Sequence, residues 1–402
     1  MADVHLDTPF RGISQSWPHL AEELSQATVA SFDHLVGRAI EERVDFVIIA
    51  GDLYDSREHS MRARLQAHRQ FDRLADHGIR VYLAHGNHDP WDPGGMRWPQ
   101  NVHVFPAGRV GRFTAFQGKD AIAEIQGMSY PESAVKENWV PQFVPESTAP
   151  FHIAVLHANV DGQPGHDNYA PARLSEMIQS GFDYWALGHV HTRQVLSAHP
   201  WVVYPGNTQG RHILESGIKG AYLVSVDDRH GVSLDFEPAS RILWQTIRIE
   251  GRSVPDEGAL VRVVGDALDQ LDAPLPVIVR IEVQEPSERL ARELMRAEDR
   301  QAFLRQWIPN VGQSSWTMVA DIVFRASAVN SAFEGTKDFW SETLRQLDRL
   351  MDDEEALLDV LRPLFARPSM KGLRARLIGE EGRTALREST HSAVKAWIEG
   401  EG

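Results

Sequence analysis

No cysteine occurs among the 402 residues. Its absence excludes disulfides, thiolate zinc sites and cysteine-held iron–sulfur clusters, and it suits a reducing compartment. Long apolar runs are also missing, none approaching the ~20 residues of a membrane helix. The opening Met1-Ala2-Asp3-Val4-His5 has neither a basic nor an apolar stretch, so it does not read as a signal peptide. The expectation is a cytoplasmic protein without a membrane partner. Basic residues are scarce as well, Lys+Arg numbering 41 against 56 Asp+Glu for a net charge of −15. Surfaces that bind DNA by neutralising phosphates are normally basic. Strong autonomous DNA affinity is therefore not expected, and a large nucleic-acid footprint would have to come from a local patch or a partner protein. Phosphodiester chemistry is not excluded, because bound divalent metals invert the field of an acidic site.

What is present is an ordinary globular composition, 42% hydrophobic and 24% charged, on a chain longer than one compact domain needs. Val44–Ala50, Ile79–Ala84, Phe151–Leu156 and the shorter Tyr184–Leu187 are continuous, β-branched apolar runs, the pattern of strands buried on both faces. Val29–Glu42 and Met61–His77 carry apolar residues at helical spacing between them. A hairpin is expected after Gly220, turning at Asp228–Gly231, and Pro131–Pro150 reads as a surface loop. From Trp244 the rhythm changes to strand, helix, strand, helix, strand over Gln245–Glu250, Gly258–Leu271, Pro276–Val283, Ser287–Trp307 and Trp316–Phe324. Beyond Lys337 a charged helical stretch carries a stripe of Phe339, Leu344, Leu347, Leu350 and Met351, then Leu357, Leu358 and Leu361. The chain divides on this reading into 1–240, 241–330 and 331–402, an α/β protein with a helical end.

Polar residues gather just past the strands' carboxyl ends, where open α/β sheets place their ligands. Asp52 follows the first strand, Asn87 and His88 the second, His157 closes the third, and His189 and His191 follow the fourth. A two-metal centre needs a bridging carboxylate, several imidazoles and an amide or second carboxylate. The oxygen and nitrogen set suits Mn, Fe or Zn. Asp52 after Gly51 is the candidate bridge. His189-Val190-His191, freed by Gly188, can offer one imidazole to each metal, and Asp3-Val4-His5 can offer a carboxylate and an imidazole to one. If Asn87 is a ligand, the adjacent His88 points elsewhere, toward a bound phosphate, where it can protonate the leaving oxygen. Asp55 can orient His88 or raise its basicity. Arg211 and Arg193 can grip phosphate, and Trp91 and Trp98 can stack on bases or pack their loop. Taken singly, each motif is a common turn or surface feature; their order and strand-end placement together point to a metal centre.

The set D-x-H, G-D-x-x-D, G-N-H-D, H and G-H-x-H resembles the calcineurin-like metallophosphoesterases. Asp3-Val4-His5-Leu6-Asp7-Thr8-Pro9-Phe10, Gly51-Asp52-Leu53-Tyr54-Asp55 and the run from Tyr204 to Arg211 resemble the SbcD-type DNA-repair exonucleases, in particular the bacterial YhaO-like branch. The resemblance implies a β-sandwich flanked by helices, then a small α/β cap and a helical segment. It implies one metal held by Asp3, His5, Asp52 and His191, a second by Asp52, Asn87, His157 and His189, and His88 as the non-ligand catalytic histidine. It further implies Mn, 3′ to 5′ removal of nucleotides from DNA, and a carboxyl-terminal segment that docks an SMC-like ATPase of SbcC or YhaN kind. A homodimer through Met61–His77 also follows by resemblance. The rival expectations are a metallophosphodiesterase or phosphatase for a small or protein substrate, and a non-catalytic ATPase adaptor. In the family a strand of several apolar residues leads into D-x-H. Here Met1-Ala2 lead into it, leaving the Asp3–His5 half with less support than the Asp52 half.

Overall fold

The computed structural model describes residues 1–8, 18–56, 60–92, 94, 97–146, 148–163, 167–271, 275–294, 300, 302–304, 306, 317–325, 348–351, 357–358 and 387. The chain forms two compact units, Met1–Arg325 and Ala326–Gly402. The Leu stripe beyond Lys337 lies largely outside the described residues.

The first unit opens with helix α1 (Pro18–Glu41), then β1 (Phe46–Ala50), α2 (Met61–Asp76), β2 (Arg80–Ala84) and β3 (Val102–Val104). These three strands pair in parallel in the order β1-β2-β3. A six-stranded sheet follows, built from β4 (Gly111–Gln117), β5 (Asp120–Gly127), β6 (His152–His157), β7 (Tyr184–Gly188), β8 (Gln194–Ala198) and β9 (Trp201–Tyr204), in the order β4-β5-β6-β7-β9-β8. Its central pairs are parallel and its two edges antiparallel. The short helix α3 (Leu174–Gln179) lies between β6 and β7 in the chain.

Side-chain alternation explains why the central strands read as unbroken apolar runs. Val47 and Ile49 of β1, with Val81 and Leu83 of β2, pack on Phe32 and Val36 of α1 and Phe71 and Leu74 of α2. The opposite faces, carrying Ala50, Tyr82 and Ala84, meet Ile125, Ile153, Val155 and Val203 of the larger sheet. Ala154 and Leu156 of β6 turn outward onto Trp185, Trp139, Val140 and Phe143. Two sheets thus stack face to face between helical layers, and both faces of each central strand are buried. The stretch Pro131–Pro150 is largely the exposed loop expected, but around a single 3-10 turn at Val140–Gln142 it buries Trp139, Val140 and Phe143.

The expected hairpin is β10 (Gly220–Val226) with β11 (Val232–Pro238), antiparallel and a separate two-stranded sheet. A cavity of about 460 Å³ lies between β1 and β10, lined by Met1, Phe46, Ile48, Tyr184, Tyr222 and Leu223 among others. Met1–Asp3 run along the rim of β1: the Met1 amine donates to the Ile48 carbonyl, Ala50 N–H to Met1 and Asp3 N–H to Gly51. Three backbone bonds therefore hold the segment that carries Asp3. Parallel strands β12 (Leu243–Glu250), β13 (Val277–Gln284) and β14 (Thr317–Arg325) follow, with helices α4 (Glu257–Asp269) and α5 (Glu288–Glu293). Val279, Ile281, Leu260, Val264 and Leu290 give this part a core of its own.

Candidate metal centre

Every strand that carries a candidate ligand ends at the same edge of the stacked sheets. The backbone there is unusual. Asp3, His5, Asp52 and His189 all have positive φ, at 51°, 49°, 51° and 97°. Non-glycine residues rarely adopt this region, and clustered exceptions mark sites where tertiary contacts impose them. The neighbouring glycines are there for two different reasons. Gly51 has φ +93, and a Cβ on it would sit 2.2 Å from His157 Nδ1. Gly188 was expected to supply conformational freedom, but what it supplies is space: a Cβ would lie 1.9 Å from the Ala50 carbonyl oxygen. A Cβ on Gly86 would lie 2.2 Å from Asp52 Oδ1.

His88, His157, His189 and His191 at this edge are each anchored by a hydrogen bond through one ring nitrogen, while His5 Nδ1 lies near a carboxylate without a hydrogen bond to it. His157 Nδ1 donates to the Ala50 carbonyl at 3.0 Å, and its Nε2 is 2.9 Å from Asn87 Oδ1 and 3.4 Å from Asp52 Oδ2. His189 Nε2 donates to the Asp167 carbonyl at 2.7 Å, leaving Nδ1 3.2 Å from Asn87 Oδ1. His88 Nδ1 donates to the Asp55 carbonyl at 2.7 Å. His191 Nδ1 donates to Glu215 at 2.6 Å, and His5 Nδ1 lies 3.2 Å from Asp55 Oδ1. Bonding the outer nitrogen to a carbonyl or carboxylate fixes the tautomer and aims the inner lone pair, the arrangement found around metal-ligating histidines.

The carboxylates complete the cluster. Asp3 accepts the His189 N–H through both oxygens, at 3.0 and 3.2 Å. Asp52 Oδ1 accepts the His88 N–H at 3.0 Å, which frees Oδ2 to lie 3.7 Å from His5 Nε2 and 3.4 Å from His157 Nε2. Asp52 therefore stands between two groups of donors, as a bridge requires. Asp3, His5 and His191 offer ligand atoms within 4.8 Å of one another, and so do Asp3, Asp52 and His157. Asn87 joins the second group through His157 and His189.

The donor set fits divalent cations. His5 Nε2 and His191 Nε2 face each other at 3.2 Å while both Nδ1 atoms face carboxylates. Two inward lone pairs at that distance repel unless a cation lies with them. Burial, reinforced by the Arg211 charge, lowers the His5 pKa to about 3, so this ring is neutral and competent as a ligand. Burial pushes the Asp3 carboxyl up, with His191 and His157 opposing. Burial also works against ionised Asp52, yet His157 and His5 hold its carboxyl well below the usual range. For His157, burial opposes the proton, but Asp52 dominates and raises the pKa to about 9, so a cation taken at Nε2 would have to displace a proton.

Two expected roles change with the geometry. The Asp55 carboxylate lies within 4.8 Å of a His88 ring nitrogen but pairs with His5 and Arg211, and it is the Asp55 main-chain carbonyl that takes the His88 hydrogen bond. The Arg211 guanidinium is paired with Asp55 and Glu215 and is only 12% exposed, so its fork is engaged inside the protein rather than free for phosphate. Arg193 lies over the Phe236 ring, 3.7 Å from its centroid. Trp98 stacks on His68 and Tyr54 within the α2 core, while Trp91, 38% exposed, stays at the surface.

Sequence reasoning passed over Asp89 and Glu215. Buried Asp89 accepts N–H bonds from Leu53 at 3.0 Å and Gly86 at 2.8 Å, tying the Asp52 loop to the Asn87 loop. The four-residue run in which it follows His88 was the available signal. Glu215, 5% exposed, sits in a loop with no spacing to reveal it.

The model of the calcineurin-like phosphoesterases matches residues 1–193. The metallophosphoesterase YhaO of Bacillus subtilis (strain 168) is 42% identical over 289 residues, covering 70% of each chain. The DNA double-strand break repair protein Mre11 of Aeropyrum pernix is 28% identical over 226 residues, 51% of this chain and 52% of that protein. The Mre11 of Methanosarcina mazei is 24% identical over 284 residues, 67% of this chain and 42% of that one. The chain thus spans about half the length of these Mre11 relatives.

Proposed function

Because this chain belongs to the calcineurin-like phosphoesterases, we propose that its metal-dependent hydrolysis is directed at DNA ends, as a two-metal exonuclease acting with an SMC-like ATPase. The observation that carries the reading is the convergence of six oxygen and nitrogen donors, from separate segments of the chain, around the Asp52 carboxylate that faces both groups. One ion would be held by Asp3, His5, Asp52 and His191, the other by Asp52, Asn87, His157 and His189. We assign Mn, which suits a sulfur-free set of this kind. When bound, the ions supply Lewis-acid stabilisation of the phosphoryl charge and a water of lowered pKa.

The remaining chemistry belongs to the chain. His88 is half-buried and held through Nδ1, so Nε2 is the nitrogen that can give a proton to the departing oxygen. Asp52 fixes His88 through its main chain, and Asp89 keeps the two loops in register. DNA as substrate is supported by the relatives named for double-strand break repair. The charge of −15 leaves little electrostatic pull on a duplex, which supports a partner that holds the DNA. Segment 331–402 is assigned to that partner's docking. A homodimer along α2 is supported by Met61 and Leu65, one turn apart and 61% and 56% exposed.

The test is a nuclease assay with Mn on linear duplex DNA, alongside bis-p-nitrophenyl phosphate. Wild-type protein is expected to shorten the DNA. His88→Ala is expected to lose about 10²–10⁴ in rate while binding Mn as wild type does. Cleavage of the small diester alone would replace the nuclease reading with a small-substrate phosphodiesterase or phosphatase, and cleavage of neither would leave an adaptor.

A further inference from the structure

The loop that follows β9 carries three polar residues with no assigned role in the chemistry, and two of them, Asn207 and Arg211, surround the buried carboxylate of the third, Glu215. Glu215 Oε2 accepts from the Asn207 side-chain amide at 2.8 Å and from the Arg211 backbone N–H at 2.7 Å. Glu215 Oε1 accepts from His191 Nδ1 at 2.6 Å and from an Arg211 guanidinium nitrogen at 3.3 Å. The amide, backbone and guanidinium groups are obligate donors, so the Glu215 carboxylate is an acceptor to all of them. His191 Nδ1 also lies 3.2 Å from an Arg211 guanidinium nitrogen, but its much shorter 2.6 Å contact to the Glu215 carboxylate places the hydrogen on Nδ1 and leaves the Nε2 lone pair facing His5 across the site.

The other end of the same guanidinium reaches the other side of the site. Arg211 donates to Asp55 Oδ1, the oxygen that lies 3.2 Å from His5 Nδ1. The two imidazoles facing each other at 3.2 Å are thus each backed by a carboxylate, and one arginine bridges those carboxylates. On the other side of Asp52 the backing is different: His157 and His189 rest on main-chain carbonyls of Ala50 and Asp167. A carbonyl is neutral and fixed by the fold. A carboxylate adds negative charge behind the ring, which raises its donor strength toward a cation.

We propose that Glu215 and Arg211 are positioning residues for one of the two metals: Glu215 fixes His191 as an Nε2 ligand, and Arg211 locks Glu215 to Asp55 so that His5 is set by the same clamp. The proposal rests on the metal-centre reading, and it concerns the position that includes His5 and His191, leaving the His157–His189 position outside the clamp. Arg211 takes the internal place because two carboxylates share its fork, and planar bidentate geometry is what a guanidinium provides and an ammonium does not.

The experiment is calorimetric Mn titration of metal-free protein, with the thermal midpoint of each metal-free variant measured in parallel. Wild type is expected to bind two ions, and His191→Ala to lose one of them. Glu215→Gln keeps the shape but removes the charge and turns one of the two acceptor oxygens into a donor. It is expected to weaken one of the two binding events by about 10–100-fold, leaving the other and the metal-free midpoint near wild type. Arg211→Lys should weaken the same event, and the double variant should be no worse than the more impaired single one, since both act through one clamp. Two wild-type affinities retained in Glu215→Gln and Arg211→Lys would overturn the clamp. Equal weakening of both events, or a fall in the metal-free midpoint that accounts for the loss, would also overturn it by making the residues general supports. A wild type that binds no Mn would instead overturn the metal-centre reading itself.

Discussion

Asp52 shows how much one side chain is asked to do. It takes a left-handed backbone, accepts the His88 N–H through one oxygen and turns the other toward His5 and His157. The space for this comes from Gly86, whose missing Cβ is replaced by the Asp52 carboxylate. Gly86→Ala cannot keep that placement, because contacts near 2.2 Å must be relieved by moving backbone or carboxylate. We expect Gly86→Ala to fold with a lower thermal midpoint and to lose Mn affinity, measurable by the same calorimetry; unchanged affinity would show the loop is more plastic than its packing. Asp89 has a purely internal role. Asp89→Ala would strand the buried Leu53 and Gly86 N–H groups, and unsatisfied buried donors cost about 1–3 kcal/mol each. Chemical denaturation should register a loss in that range. Most of the site residues were legible because each stands beside a glycine or another ligand at a strand end. Glu215 was not, since a lone glutamate in an irregular loop has no periodicity, and only the fold brings it to His191.

At the scale of elements, the hairpin β10–β11 and the strands β12, β13 and β14 read from the sequence as well as the core strands did, and the core strands did so because both their faces are buried. β1, β2, β6 and β7 present apolar side chains to helices on one side and to the opposing sheet on the other, so their apolar runs are continuous. The edge strands β4 and β8 went unseen because they alternate exposed and half-buried residues with Gln, Arg and Ser among them. The register of the first ligand motif was the element expected to be weak. Backbone bonds from Met1 and Asp3 to Ile48, Ala50 and Gly51 seat it, although the 460 Å³ cavity beside β1 and β10 leaves apolar walls without contact partners. Filling it should stabilise the fold. Ala186, on the cavity wall, is one place to add a side chain: Ala186→Val that fits without strain would contribute about 1–2 kcal/mol from the added methyls, read as a higher midpoint in urea. A lower midpoint would mean the walls are already in contact when the protein is in solution.

On the scale of the whole molecule, a buried metal centre is expected to make stability depend on its ions. Asp3, Asp52, His5, His157 and His189 are buried together, and cations held there only in the folded state would stabilise it by mass action. An ion at 100 times its dissociation constant contributes about 2.7 kcal/mol, so chelation should lower the thermal midpoint by several degrees and Mn should restore it. No helix among the described residues is long and apolar enough to cross a membrane. The net charge of −15 bears on the substrate. Binding of the isolated chain to duplex DNA is expected to be weak, and a fluorescence titration giving tight binding at physiological salt would contradict the need for a partner.

The central claim is a pair of divalent ions bridged by Asp52, and ion counting tests it most directly. Calorimetric titration of metal-free protein with Mn should give two ions per chain, and Asp52→Asn should weaken both together, because its carboxylate is the group common to the two positions. A wild type that binds one ion or none, or an Asp52→Asn protein that still binds two with wild-type affinity, would contradict the account.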